Sequence, residues 1–131
     1  MKVCITDTKK VNAQKDGVWA TLGESSFKIA HIGNLKFQRI LNRLQAPHRK
    51  EIAKGTLDPG ISKKLLSEAM AKGLVLDWKD VVDADGKDVP FDEGICEKCL
   101  YNNDEVRDFV QEFSQDMANF KTEELEEERK S

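Results

Sequence analysis

The segment EVRDFVQEFSQDMANF, from Glu105 to Phe120, has the clearest periodicity in the chain and decides the fold. Large apolar residues recur here at steps of three and four, which predicts that they share one face of an α-helix. We call this set the aromatic face, and its members are Val106, Phe109, Val110, Phe113, Met117 and Phe120. Each such side chain contributes about 1.5–3 kcal/mol when buried, so the face is worth about 10 kcal/mol or more as an upper bound. A helix with this face must therefore pack on the core of its own chain or on another protein.

Both interpretations of the aromatic face stay open from the sequence. An ordinary core helix would bury the whole face, whereas a docking helix would leave part of it for a partner. The candidate protein-binding residues are Phe109, Phe113, Met117 and Phe120. The polar residues predicted to face solvent are Asp108, Glu112, Gln115 and Asn119.

Upstream of this helix, the acidic stretch DVVDADGKDVPFDEG, from Asp80 to Gly94, is compatible with a turn or a calcium loop. With Gly86 at the sixth position of a calcium loop, the first position is Val81, which has no side-chain ligand, and the twelfth is Asp92 instead of a bidentate Glu. The stretch therefore favours a tight turn at Asp85-Gly86 between extended segments that end at Val82 and start at Val89.

Nearer the N-terminus, VWATL (18–22) and SFKIAHI (26–32) have strand composition and are separated by turn residues, which predicts a β-hairpin. Helices are predicted from a cap at Asn34 to about Gln45, over the segment that starts at Ile61, from about Glu93 to Tyr101, and over the aromatic face. Asp92 and Asn102 are the expected caps of the last two helices, and Trp19 and Trp78 are expected to anchor the packing. The fold class is therefore α+β and mainly α, with an N-terminal β-hairpin packed on a bundle of about four helices.

The 131 residues suit a single domain, which we place at 1–125, with residues 1–16 as a mobile segment and 126–131 as a polar tail. Whether MKVCIT adds a strand stays open. No run approaches the roughly 20 apolar residues of a membrane helix, and the start of the chain lacks the apolar stretch of a secretory signal. We expect no membrane association.

Three cysteines fit a reducing compartment better than a disulfide framework. Cys96 and Cys99 form a CxxC motif, but no second pair of ligands accompanies it, as a zinc site would require. We therefore interpret the pair as structural thiols, with metal or redox use as the alternative, and we expect no cofactor.

The two parts of the chain carry opposite charge. Residues 1–75 hold 14 Lys and Arg against 6 acidic residues, a net charge of +8, whereas residues 76–131 hold 7 against 18, a net charge of −11. This asymmetry is typical of a basic nucleic-acid-binding half with an acidic tail, or of halves that neutralise each other within or between molecules.

The order of these segments resembles the tail assembly chaperones of long-tailed, lambda-like siphovirus bacteriophages, over about residues 17–120. A hairpin with Trp precedes GNLKF (33–37), a second helix, the stretch LVLDWKDVVDADGKDVPFD (74–92) and a closing helix. The resemblance implies a non-enzymatic protein of the host bacterial cytoplasm. It further implies binding to the tape measure protein, and recruitment of the major tail protein during tail assembly.

Two other function classes are weighed against this one. A small nucleic-acid-binding regulator would use the basic N-terminal half, through Arg39, Arg43, Arg49 and Lys50, but the pI of about 5.5 argues against it. An enzyme is disfavoured, because the chain has no nucleotide-binding glycine loop, no nucleophile motif and no paired metal ligands. We expect self-association through the oppositely charged halves, weakened by salt because exposed charges are screened over about 8 Å at physiological ionic strength.

Overall fold

The computed structural model describes residues 16–116 and 119–120. A three-stranded antiparallel sheet packs against helices, so the fold is α+β and mainly α, as predicted. The strands are β1 (Val18–Leu22), β2 (Ser25–Ile29) and β3 (Val75–Lys79). The α-helices are α1 (Leu35–Gln45), α2 (Arg49–Lys54), α3 (Pro59–Gly73), α4 (Glu93–Asn102) and α5 (Asp104–Gln115), with a 3-10 turn at Ala46–His48 between α1 and α2.

The sheet has the order β1-β2-β3, and one inward-facing residue from each strand lies in register with the other two. Ala20 pairs with Phe27, and Phe27 pairs with Trp78, so all three side chains point into the core. The Phe27 and Trp78 rings meet edge to face at 6.3 Å, and the Trp78 Nε1–H donates to the carbonyl oxygen of Val89 at 2.7 Å. Trp78 is thus an anchor of the packing, as predicted.

Trp19 does not anchor the core, contrary to the sequence-based prediction. It alternates with the buried Ala20 along β1 and therefore lies on the outer face of the sheet, where Lys79 Nζ sits 4.1 Å from its ring centroid. The third strand of the sheet is β3. The MKVCIT segment lies outside the described residues, as do all of residues 1–15, so the question of a strand there stays untested.

The close approach of α1 and α3 depends on a glycine. A Cβ on Gly73 would lie 2.7 Å from the Cα of Phe37, so the absent side chain lets the two helix backbones come together. Asn34 ties the same junction: its Oδ1 accepts from the N–H of Phe37, and its Nδ2 donates to the carbonyl oxygens of His31 and Gly73. The predicted cap of α1 is confirmed and also connects the start of α1 to the end of α3.

Of the two predicted caps of the last helices, one is confirmed and the other is wrong by one residue. Asp92 caps α4, as predicted, by accepting from the N–H of Ile95. The cap of α5 is Asn103 and not Asn102, because Asn103 adopts the extended conformation and accepts from Val106, whereas Asn102 is still the last residue of α4.

Candidate protein-binding surfaces

The predicted continuous helix through the aromatic face is interrupted, which changes how the face is arranged. Helix α5 ends at Gln115, and Asp116 is extended. Asn119 is tied to the end of α5: its backbone N–H donates to the carbonyl oxygen of Asp116, and its Nδ2 donates to that of Phe113. Phe120 thereby folds against Phe113, with ring centroids 5.8 Å apart, instead of continuing along the helix axis.

The four candidate protein-binding residues therefore have different environments. Phe120 is 1% exposed, and its ring is enclosed within the chain. Phe109 and Phe113 are half-buried and pack against the core, and their ring centroids are 6.2 Å apart. Met117 lies outside the described residues. Among the candidate residues that the structure describes, Phe109 and Phe113 are the ones a partner could contact in this conformation, and such contact stays a prediction.

His31 closes the end of the aromatic face. Its Nδ1 accepts from the backbone N–H of Gly33 at 3.0 Å, and its ring meets the Phe120 ring edge to face. Burial lowers the pKa of His31 below its ordinary value of 6.5, which favours the neutral ring that this acceptor role requires. The contact indicates a structural role for this histidine.

An open apolar groove lies between α1, α2 and the N-terminal half of α3. We call it the three-helix groove, and its volume is about 310 Å³. Its apolar lining residues are Leu41, Ile52, Leu57, Leu65 and Leu66. Ile52 is 38% exposed and Ile61, on the neighbouring turn of α3, is 39% exposed. Apolar side chains at a groove between helices form a surface that the apolar stripe of another helix can fill.

The sequence did not predict the three-helix groove, because α2, the helix that forms one of its walls, is short. Arg49–Lys54 covers less than two turns and follows Ala46-Pro47, so no helical periodicity can be seen there. The only available signal is Ile52, an apolar residue in the otherwise polar segment RKEIAKGT. Along the same line of α3, Ile61 is exposed and Leu65 is half-buried, whereas Ala69 is buried.

The outer side of α1 carries an exposed basic face, which we define as Lys36, Arg39 and Arg43. The spacing of three and four residues keeps these cations on one side of the helix, opposite the buried Phe37. Among residues 16–116 and 119–120, ion pairs involve Lys63, Lys72 and Arg107 and none of these three cations. The basic face therefore presents positive charge to solvent over the described part of the molecule.

The acidic stretch forms the predicted turn. Val82 and Asp88 form an antiparallel bridge, Gly86 has a φ of 78°, and the N–H of Gly86 donates to the carbonyl oxygen of Asp83. The Asp83 Oδ1 accepts from the N–H groups of Asp85 and Lys87 at 2.9 and 3.0 Å. The carboxylate that a calcium loop would direct to an ion thus holds the backbone of the turn.

The CxxC pair lies on the inner side of α4. Cys96 is buried, and burial raises the pKa of its thiol to about 12, with the neighbouring Cys99, Glu93 and Glu97 adding to the shift. Burial also raises the pKa of Cys99. Because the thiolate is the form that attacks disulfides and binds metals, both thiols are poorly suited to redox or metal chemistry. This supports their interpretation as structural residues.

A second cavity, of about 320 Å³, lies between α3 and α4. Its lining includes Lys64, Lys98 and Tyr101, and Ser67 at its base has a buried hydroxyl without a hydrogen-bond partner. Asp104, the first residue of α5, pairs with Arg107 and Lys63, and the hydrogen bond with Arg107 is the main reason that the pKa of Asp104 is lowered. The Arg107 guanidinium also donates to the carbonyl oxygen of Leu100, so this network joins α4 to α5.

Within the described residues, no group of three or more histidine, cysteine or acidic side chains is placed to hold a metal ion. No helix among those the structure describes combines the length and apolar character needed to cross a bilayer.

Comparison with known proteins identifies the origin of the chain. No curated protein and no solved structure matches it. A family model described as YdaY prophage protein matches residues 32–131, which include every helix from α1 to α5 together with β3 and leave the β1–β2 hairpin outside. The chain therefore belongs to the YdaY prophage protein family and is phage-derived.

Proposed function

We propose that this prophage protein is a non-enzymatic tail assembly chaperone of the host bacterial cytoplasm that binds the tape measure protein and helps to recruit the major tail protein. The observation that carries the proposal is the three-helix groove, an open apolar surface on a protein of phage origin. The sequence resemblance to tail assembly chaperones supports the same role. It is carried by the β1–β2 hairpin, by β3 with Trp78, and by the turn at Asp85-Gly86.

The groove has the right chemistry for a helical client. Its walls, residues 35–66, hold eight Lys and Arg against two acidic residues, Glu51 and Asp58, so they favour an amphipathic helix with acidic flanks. Two apolar anchors seated in the groove would contribute about 3–6 kcal/mol before the costs of ordering are subtracted. An interaction of this strength is reversible, as a chaperone needs when its client passes into the growing tail.

Co-expression with the tape measure protein of the same prophage tests the proposal. The wild-type chain is expected to raise the soluble fraction of the client and to co-purify with it. Ile52→Asp places a charge in the groove and should abolish both effects. Ile95→Asp is the matched control, because Ile95 is 45% exposed on α4, away from the groove, and this variant should act like the wild type. A client that stays equally insoluble with and without the wild-type chain would rule the proposal out.

The basic face of α1 favours a second candidate function, a small nucleic-acid-binding regulator. Exposed cations on one helix side supply the electrostatic contact with phosphates that such binding requires. A gel shift with duplex DNA at low salt decides between the two, since the regulator predicts a complex that Arg39→Ser and Arg43→Ser weaken and that salt dissolves steeply. Self-association through the oppositely charged halves also stays a prediction, and sedimentation at low and high salt measures it.

A further inference from the structure

The cavity between α3 and α4, which we call the α3–α4 cavity, contains a polar group that the fold leaves unpaired. Ser67 lines the cavity from α3, and its side chain is buried. Within residues 16–116 and 119–120, its hydroxyl is the one buried side-chain polar atom without a hydrogen-bond partner. Buried polar groups are almost always paired, because an unpaired group loses its hydration without compensation. The Ser67 hydroxyl is therefore available to an acceptor that enters the cavity.

The other polar side chains give the α3–α4 cavity an excess of positive charge. Lys64 on α3 and Lys98 on α4 line it, against one carboxylate, that of Glu97. Neither lysine forms an ion pair or a hydrogen bond with the described residues, so both ammonium groups can turn to a ligand. The Asn102 amide, which has no partner in this part of the chain either, supplies two further N–H donors. This set of donors favours an anionic group.

The type and placement of the donors favour a phosphate monoester over a carboxylate. A carboxylate is planar and is matched best by the fork of an arginine, and the cavity is lined by lysines instead. A phosphate monoester carries a charge of about −1.5 to −2 at pH 7 and presents three strong acceptor oxygens. Lys64, Ser67 and Lys98 come from two helices and so approach such a tetrahedral group from different sides.

The rest of the cavity suits the organic part of such a molecule. Its volume of about 320 Å³ lies in the range of small-molecule sites, and the Tyr101 ring, with Lys63 Nζ 4.7 Å from its centroid, forms an aromatic wall. Glu97 repels phosphate but accepts from hydroxyl groups, so it favours a ligand that carries them. The Arg107 guanidinium donates to the carbonyl oxygens of Leu100 and Tyr101 and thereby offsets the negative end of α4.

We propose that the α3–α4 cavity binds a small phosphate monoester with free hydroxyl groups, of the size of a nucleoside monophosphate. Lys64 and Lys98 bind the phosphate, the Ser67 hydroxyl donates to one of its oxygens, and Tyr101 packs against the organic part. Because the Ser67 hydroxyl is closed off from solvent, binding includes an outward turn of the exposed Lys98 and Tyr101 side chains. The cavity shares no lining residue with the three-helix groove, so the inference does not depend on the proposed chaperone function.

Nuclear magnetic resonance titration of the full chain tests the proposal. The probes are AMP, inorganic phosphate and adenosine, which represent the whole ligand, the anion alone and the organic part alone. The reporters are the backbone N–H signals of Ser67 and Lys98 and the side-chain amide of Asn102, with Gly86 of the acidic turn as the internal reference. AMP should shift the reporters and bind at least about tenfold more tightly than phosphate or adenosine, because it makes both sets of contacts. Reporters that stay in place at millimolar AMP, or equal affinities for AMP and phosphate, would overturn the proposal.

Two variants separate a binding role of Ser67 from a packing role. Ser67→Ala should weaken AMP binding about tenfold, because a hydrogen bond to a charged group is lost, and should leave the ligand-free protein as stable as the wild type or more so. Lys98→Gln should weaken AMP binding about tenfold as well, whereas Lys87→Gln, the matched change of charge at an exposed lysine of the acidic turn, should not alter it. Wild-type affinity in both Ser67→Ala and Lys98→Gln, or equal weakening by the two lysine variants, would overturn the proposal.

Discussion

His31 and Phe120 meet edge to face, with ring centroids 5.2 Å apart and an interplanar angle of 77°. The contact joins the segment after β2 to the segment after α5, and the N–H of Ile32, which donates to the carbonyl oxygen of Ser114 at 2.9 Å, reinforces the same junction. The end of the aromatic face is thus fixed by the histidine that follows the hairpin.

Acid is expected to loosen this junction. Burial lowers the pKa of His31 in the folded state, so the unfolded chain, with the ordinary value of 6.5, binds the proton more tightly. The contribution of neutral His31 to stability is therefore present above pH 6.5 and is lost as the pH falls through 6.5 towards the folded pKa. Protonation also removes the Nδ1 acceptor that Gly33 uses.

Urea unfolding of the wild type and of His31→Asn between pH 7.5 and 5 measures this effect. Asn retains an acceptor for Gly33 but does not titrate. The wild type should lose more free energy of unfolding than the variant over this range, and parallel pH profiles would contradict the assignment.

Gly73→Ala is expected to separate α1 from α3. The new Cβ would meet the Cα and Cβ of Phe37 at 2.7 and 2.9 Å, and a helix backbone cannot move aside as a flexible side chain can. The cost should be about 2 kcal/mol or more in the free energy of unfolding, by the overpacking mechanism. Gly94→Ala is the control, since its Cβ would meet only the Asp92 carboxylate, at 3.2 Å, and it should be neutral or slightly stabilising. A Gly73→Ala variant as stable as the wild type would refute the close-contact argument.

The fold class could be predicted because its signals are local. The caps Asn34 and Asp92, the Asp85-Gly86 turn and the hairpin each depend on neighbouring residues, whose chemistry is visible in the sequence. The interruption of the last helix at Asp116 was not predicted, because the aromatic spacing continues through it. It depends on Asn119 and on the distant His31, which provides the surface for Phe120.

The surfaces were harder to predict than the fold for a related physical reason. Periodicity shows that Phe109, Phe113 and Phe120 share a side, but not how much of each ring the rest of the chain covers. The three-helix groove requires three segments to be placed in space, and Ile52 gives no periodic signal by itself. The basic face was visible in the sequence, because Lys36, Arg39 and Arg43 recur at steps of three and four residues along one helix.

Alkylation should distinguish the buried thiol from the other cysteines. The pKa of about 12 keeps Cys96 protonated at pH 8, and its burial keeps the reagent away. Peptide mapping after brief treatment with iodoacetamide at pH 8 should find little modification of Cys96 in the native protein and full modification in urea. The half-buried Cys99 should react at an intermediate rate. Equal labelling of Cys96 in native and unfolded protein would show that the thiol is accessible, and the redox or metal interpretation of the CxxC motif would regain support.

Asn34→Ala should cost more than the loss of an ordinary helix cap. Removal of a capping side chain typically costs about 1 kcal/mol, and Asn34 also donates to the carbonyl oxygens of His31 and Gly73, so we expect a loss of about 2–3 kcal/mol. Asp58→Ala is the matched control, because the exposed Asp58 caps α3 through a single bond to Ile61 and should cost about 1 kcal/mol. Chemical denaturation of the two variants measures the difference. Equal losses would mean that the Asn34 amide contributes only its cap, and that the junction of α1 with α3 depends on the packing of Phe37 against Gly73.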